Sequence, residues 1–228
     1  MDKNILSLFQ LCDSNFPTGA FSHSFGLESY IQDNLVTDQE TFYRWLQVYL
    51  HEQLIYTDGL ACRLVYEALL NEDFERIWEL DRLLNVQNLP RETREGTQMI
   101  GSRMLKLAET LFGFPTLAKY KDELKRKNAF GHPSIVFTMV AHGLGVSKTN
   151  AVLYYLYSSI SSLVQNGVRA IPLGQTAGQM IIHQFMDDLT EAVENILSLT
   201  EDDFGIVSPG LELSQMKHER VNIRIFMS

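Results

Sequence analysis

Apolar residues recur along most of this chain at spacings of three and four, the period of a helix that turns one face inward. Ile5, Leu8, Phe9 and Cys12 mark a first helix, and Phe42, Trp45, Leu46, Tyr49 and Leu50 a longer one. Ahead of the second, Thr37-Asp38-Gln39-Glu40 reads as a capping box, in which side chains close backbone N–H groups that the first turn leaves open. Leu60, Leu64, Val65, Ala68 and Leu69 give the next stripe, then Phe74, Ile77, Trp78 and Leu84, and all four stripes are predicted to face a core. Pro90 can open a further helix at its first turn, with Ile100, Met104, Leu107 and Leu111 on one side, until Gly113-Phe114-Pro115 ends it. Four more helices are predicted over 116–128, 133–143, 148–170 and 174–199. Alternation of strand type occurs only at Val221-Asn222-Ile223-Arg224-Ile225. No fixed repeat length recurs, which disfavours a solenoid. The pattern predicts an all-α, single-domain irregular helical bundle over residues 1–228 with an extended C-terminal tail.

Composition narrows the function. The 228 residues are 45% hydrophobic, enough for one substantial core, with no Pro/Ser/Gly-rich linker to divide it. No apolar run reaches the 18 or so residues a membrane span needs, and Met1-Asp2-Lys3-Asn4 lacks the basic start of a leader. A cytoplasmic protein is expected. Cys12 and Cys62 lie at apolar helical positions without a metal-binding spacing, so buried thiols are expected. The net charge of −9 argues against a nucleic-acid partner, whose affinity comes from clustered cations. Charge is unevenly placed: between Arg169 and Lys217 there is no Lys or Arg but eight carboxylates, whereas Lys119, Lys121, Lys125, Arg126 and Lys127 crowd one short helix. Such runs are ordinarily solvated faces; complementary docking patches are the alternative.

Catalytic patterns are missing. No G-x-x-x-x-G-K-[ST] loop cradles phosphates, no two histidines stand four apart on one helix face, and no G-x-S-x-G elbow presents a nucleophile. No stably bound cofactor or metal is expected. In Gly174-Gln175-Thr176-Ala177-Gly178-Gln179, Gly178 and Ala177 permit close backbone approach, while Gln175 and Gln179 project together, either capping internal carbonyls or facing a partner. The tail, 208–228, carries Leu211, Leu213, Met216, Val221, Ile223, Ile225, Phe226 and Met227, too apolar for an ordinary disordered end. Ordering it costs about 1–2 kcal/mol per residue, so it needs a docking surface, and a partner chain is the favoured one.

Residues 10–28 are the most distinctive stretch. Pro17 fixes φ, Gly19 can take positive φ, and the chain can reverse before Ser22 or Ser24 caps the next helix. The positions Gln10, Leu11, Ser14, Pro17, Gly19, Phe21, Ser22, Ser24, Gly26, Leu27 and Glu28 resemble the N-terminal signature of the UreF family of urease accessory proteins. The similarity continues in order through Arg91-Glu92-Thr93-Arg94-Glu95 with Gly101, Gly131-His132-Pro133, Val168 to Gln179, Met216-Lys217-His218-Glu219 and Arg224 to Ser228. Departures are small: Ala20 replaces a second glycine and Ile225 a leucine.

The resemblance implies a non-enzymatic homodimer that binds a second accessory protein, UreD or UreH, and through that assembly recruits the GTPase UreG. The complex would deliver nickel to apo-urease, the GTPase supplying the nucleotide loop and principal nickel ligands. Partner-binding residues are expected at Phe16, His23, Glu28, Arg91, Arg94, Arg169, Gln175, Gln179, His218, Arg224 and Phe226. Two competing readings are a small all-α enzyme with a pocket near His23, Glu28 and Arg94, and a scaffold for an unrelated helical partner.

Overall fold

A computed structural model describes residues 3–228; Met1 and Asp2, part of the leader reading above, lie outside the described residues. The helices run in the order α1 (Lys3–Cys12), α2 (Leu27–Gln32), α3 (Gln39–Tyr49), α4 (Leu60–Leu70), α5 (Phe74–Gln87), α6 (Arg91–Phe112), α7 (Pro115–Lys125), α8 (Pro133–Gly143), α9 (Lys148–Ala170), α10 (Gln175–Gln184), α11 (Met186–Ser198) and α12 (Pro209–His218). A π-helical stretch, Leu50–Gly59, joins α3 to α4. Among the described residues there is no β-strand. The fold is all-α.

α8 occupies the centre. Every residue from Pro133 to Ala141 is buried, the behaviour of a helix that is apolar all round, and it packs on α4, α6, α7 and α9. One contiguous core runs from Leu8 to Leu211. The entry to α8 is held by Asp81, fully buried on α5, whose carboxylate accepts from the Phe130, Gly131 and His132 N–H groups at 2.6, 3.2 and 3.1 Å. The Tyr120 hydroxyl accepts from the last two as well, and burial, with Asp81 beside it, holds that phenol well above its ordinary range. Here α6 and the α7–α8 loop touch backbone to backbone, which accounts for the glycines at 101 and 131: a Cβ on Gly101 would stand 1.8 Å from the Gly131 carbonyl oxygen.

Several expectations need correction. Of the first stripe only Leu8 is buried; Ile5 and Phe9 are 52% and 67% exposed, because α1 meets the body along a single line, from Asn4 on the Leu144 carbonyl to Cys12 beside Tyr154. Cys12 is half-buried and Cys62 fully buried, and burial pushes the Cys12 thiol up to about 12. The capping box is one residue later than read: Asp38 is the cap and Thr41 its partner, with Asp38 Oδ1 accepting the Thr41 N–H at 2.9 Å. The predicted helix over 174–199 breaks at Phe185, whose fully buried ring packs edge-on against Tyr43. Val221 to Ile225 form no strand, since no neighbouring strand is there to pair with them. None of the described helices is long and apolar enough to cross a membrane.

Gly101→Ala is expected to destabilise the fold by about 3 kcal/mol, the upper range for overpacking, because both colliding groups are backbone. Urea unfolding checks this; an unchanged midpoint would show that α6 slides freely at the crossing.

Candidate partner-docking site

The chain reverses between α1 and α2 in two steps. Asn15 donates its N–H to Asp13 Oδ1 at 2.8 Å to close the first turn, and Gly19 then takes φ 87° as read from the sequence. The second step was not foreseen: Phe25 and Gly26 also adopt positive φ, 52° and 93°. Gly26 has a further constraint, since a Cβ there would stand 2.5 Å from Ser214 Oγ on α12. The N-cap of α2 is Gly26 and not Ser22 or Ser24 as read, because the positive-φ pair Phe25-Gly26 separates the serines from the helix start; Ser24 Oγ reaches only the Glu28 N–H, at 3.4 Å.

This arrangement buries Glu28 at the first turn of α2, where three donors from the C-terminal segment converge on it. His218 Nε2 donates at 2.9 Å, the Ile225 N–H at 2.6 Å and the Phe226 N–H at 3.0 Å. Around that carboxylate the segment is stitched down on both sides. Ser24 donates its N–H and its hydroxyl to the Ser228 carbonyl at 2.5 and 2.8 Å, Met227 donates its N–H to the Ser22 carbonyl at 2.7 Å, and His23 Nδ1 meets Ser228 Oγ at 2.8 Å. Ser29 Oγ donates to the Ser214 carbonyl at 2.7 Å. Phe226, 3% exposed, fills the space beneath, a burial worth about 1.5–3 kcal/mol. The tail is therefore half helix and half strap, and it docks on its own body; the sequence reading that favoured a partner chain as its ordering surface is corrected. What faces solvent is the complementary set, Ile223, Ile225 and Met227, exposed by 89%, 56% and 58%.

The flank of the clasp is α6. Arg224 pairs with Glu92 at 2.6 Å, and Glu92 Oε2 also lies 3.6 Å from His218 Nδ1, the buried ring nitrogen left without a hydrogen bond. Glu219 caps the helix start, accepting the Arg91 N–H at 2.8 Å, and lies 3.8 Å from the Arg91 guanidinium. On the far side Arg169 donates to the Phe21 carbonyl at 2.7 Å and lies over the rings of Phe21 and Phe226. The guanidinium read as a free fork for a partner carboxylate is thus committed inside the chain.

Seven expected residues, His23, Glu28, Arg91, Arg169, His218, Arg224 and Phe226, converge on the clasp. Four stand elsewhere. Arg94 donates to the Asn88 and Leu89 carbonyls at 2.7 and 3.0 Å, closing the end of α5. Phe16 is buried and lines a cavity of about 120 Å³ with Tyr49, Asp58, His132 and Tyr155. Gln175 and Gln179 are exposed on α10, so they cap no buried carbonyl; Gly178 does pack closely, a Cβ there standing 2.7 Å from Val168 Cγ2. His23, Glu28 and Arg94 accordingly form no shared pocket: Arg94 borders a different, small recess, and Glu28 is already engaged by three donors. Among the described residues, no group of three or more His, Cys, Asp or Glu side chains is placed to hold a metal ion. Two contributors were missed by the sequence reading: Glu92 and Glu219. Both stood in quoted blocks; the only available signal was for Glu92, an acidic residue in the first turn of a helix, whereas Glu219 follows the end of α12.

The molecule is thus an all-α body whose N-terminal turn is locked by its own C-terminal strap. The UreF family model matches residues 36–186, and a curated relative from Lachnoclostridium phytofermentans, described as urease accessory protein UreF, is 53% identical over 228 residues, covering 100% of both chains. The chain belongs to the UreF family of urease accessory proteins and is not itself an enzyme.

Two outcomes are expected. Deleting 209–228 lowers thermal stability clearly, because it strips fully buried Leu211 and His218 and leaves Glu28 buried without its donors, a loss of about 3–5 kcal/mol. Far-UV circular dichroism with a melt checks it; an unchanged melt would mean the strap is only a passenger. The second concerns pH. Burial first, and the Arg103 charge second, hold His23 below the usual imidazole range. Protonating it costs more folded than unfolded, so its contribution is whole above pH of about 6.5 and is lost as pH falls. The melting temperature should drop between about pH 7 and about pH 5, less steeply in His23→Gln; His142, also depressed by burial, keeps the remaining slope.

Proposed function

We propose that this chain is an adaptor in urease maturation: it joins the UreD/UreH accessory protein and the GTPase UreG on apo-urease, so that nickel passes to the enzyme. The observation that carries this reading is the clasp. It is built from segments over 180 residues apart in sequence, and it leaves an apolar outer row, Ile223, Ile225 and Met227, that the body does not cover. Apolar rows of that kind mark surfaces for other proteins. Family membership supports the assignment to urease maturation, and the printed name of the relative goes no further than accessory protein. Homodimerisation and a cytoplasmic location belong to the same proposal.

In this scheme nickel is cargo. Two side chains bridging α2, α6 and α12, Glu28 and Glu92, are occupied by His218, Arg224 and backbone donors, which leaves them to shape a docking surface rather than to coordinate an ion. A stable nickel site needs several imidazole, thiolate or carboxylate ligands converging in fixed geometry.

Co-purification tests the adaptor reading. The tagged chain is expected to retain UreD/UreH, and the pair to retain UreG with GTP and nickel present; failure of the wild-type assembly to hold the GTPase would overturn it. Calorimetry on the chain alone at moderate salt should show weak nickel binding, and no GTP hydrolysis should accompany it. One stoichiometric submicromolar nickel site per chain would make the protein a metallochaperone in its own right.

A further inference from the structure

His218 stands between two carboxylates. Its ring is fully buried on α12, with Nε2 2.9 Å from Glu28 Oε2 on α2 and Nδ1 3.6 Å from Glu92 Oε2 on α6. A neutral imidazole has one N–H and one lone pair, so each of its tautomers turns a lone pair toward a carboxylate. With the proton on Nε2, the Nδ1 lone pair faces Glu92; with the proton on Nδ1, the same repulsion falls on Glu28 at 2.9 Å. Among the described residues no other donor reaches Nδ1. Only the imidazolium presents an N–H to both carboxylates.

The charge balance around the ring agrees. The charged groups that face it are Glu28 from α2, Glu92 from α6 and, across Glu92, Arg224 from the strap, whose guanidinium lies 2.6 Å from that carboxylate. Two flanking pairs are already matched, Lys217 with Asp33 and Arg91 with Glu219, at 3.8 Å each. Two carboxylates against one guanidinium leave a negative charge over, at a place where Glu28 is only 3% exposed and water cannot screen it. A second proton on His218 neutralises the cluster.

We propose that His218 is an imidazolium in the closed clasp, and that closing the strap therefore takes up a proton from solvent. In the open chain the ring is solvated and faces neither carboxylate. The sign follows from linkage: the contribution of the cation is whole below pH of about 6.5, where open and closed states both carry the proton, and it is lost on the alkaline side. This slope runs opposite to that of His23, whose contribution is lost toward acid. The two histidines bracket the clasp, one loosening it on each side. Because the row Ile223, Ile225 and Met227 travels with the strap, a partner seated on that row inherits the dependence. That consequence rests on the adaptor reading above; the proton linkage does not.

The test uses the isolated full chain between about pH 6 and about pH 9. Thiols do not interfere at its lower end, since burial pushes Cys12 up to about 12 and raises Cys62 as well. Heteronuclear NMR of the labelled histidine rings should show two N–H groups on His218 at about pH 6. Toward about pH 9 the wild-type melting temperature should fall by about 3 °C, and amide exchange at Ile225 and Phe226, corrected for its intrinsic pH dependence, should quicken at least about tenfold. Glu92→Gln removes the surplus negative charge and is expected to flatten both trends. A neutral His218 ring in the wild type at about pH 6 would overturn the proposal whatever the variant does, and so would trends in Glu92→Gln as steep as those of the wild type. Retention of UreD/UreH is then compared at about pH 6.5 and about pH 8.5, with about a tenfold loss expected at the higher value. Equal retention at both would overturn the docking consequence, and a chain that retains no UreD/UreH at either would overturn the adaptor reading while the NMR result on the isolated chain stands.

Discussion

Taking a carboxylate out of water costs several kcal/mol, and Glu28 repays that only because His218 and the backbone N–H groups of Ile225 and Phe226 reach it. Those three donors lie on a segment that arrives some 190 residues later in the chain. Each party leans on the other: without the strap the carboxylate would be buried bare, and without Glu28 the strap would lose the acceptor of two backbone N–H groups and of His218, keeping its flanking bonds to Ser22, His23, Ser24 and Glu92. The six-residue helix α2 is too short to persist by propensity alone, so its position too depends on this contact. Order in the N-terminal turn and order in the C-terminal strap are therefore one equilibrium.

That equilibrium gives docking a direct energetic handle. Any partner that binds the assembled clasp and not its open form stabilises it by mass action, and is itself weakened by whatever opens it. Two partners that both require the closed state bind with positive coupling even without touching each other. An adaptor that must hold one partner while exchanging another benefits from that arrangement.

Helical periodicity made the body legible, because a core helix has to repeat its apolar positions every three or four residues whatever it packs against. The stripes of α3, α4 and α5, the Pro90 and Gly113 boundaries of α6, and the ends of α8 and α9 all follow from it. Failures occurred where a partner outside the local window decided the outcome. Ile5 and Phe9 belong to a stripe but find no second surface; Phe185 is pulled inward and breaks a predicted continuous helix; α12 has too weak a stripe to be seen. At the site, motif resemblance brought the correct residues together without their roles. Glu28 and His218 stood in separate blocks, and nothing in either block says that they meet.

Arginine shows why role is harder to read than membership. Arg94, Arg169 and Arg224 stand in the recognisable blocks, and each is consumed by holding the chain together: on the end of α5, on the Phe21 carbonyl and on Glu92. Arg103 and Arg220 stand in no block and have no local pattern around them, yet both are exposed with no side-chain hydrogen bond or ion pair among the described residues. A buried or bridging arginine has to keep its geometry because carbonyls and carboxylates inside the fold depend on it, and that dependence is what makes a motif. A docking arginine answers to a surface on another molecule, so its signature lies in the partner's sequence as much as in its own. Arg169 shows that dependence directly: it donates to the Phe21 carbonyl at 2.7 Å and lies over the rings of Phe21 and Phe226, so the N-terminal turn and the strap are both set by one guanidinium.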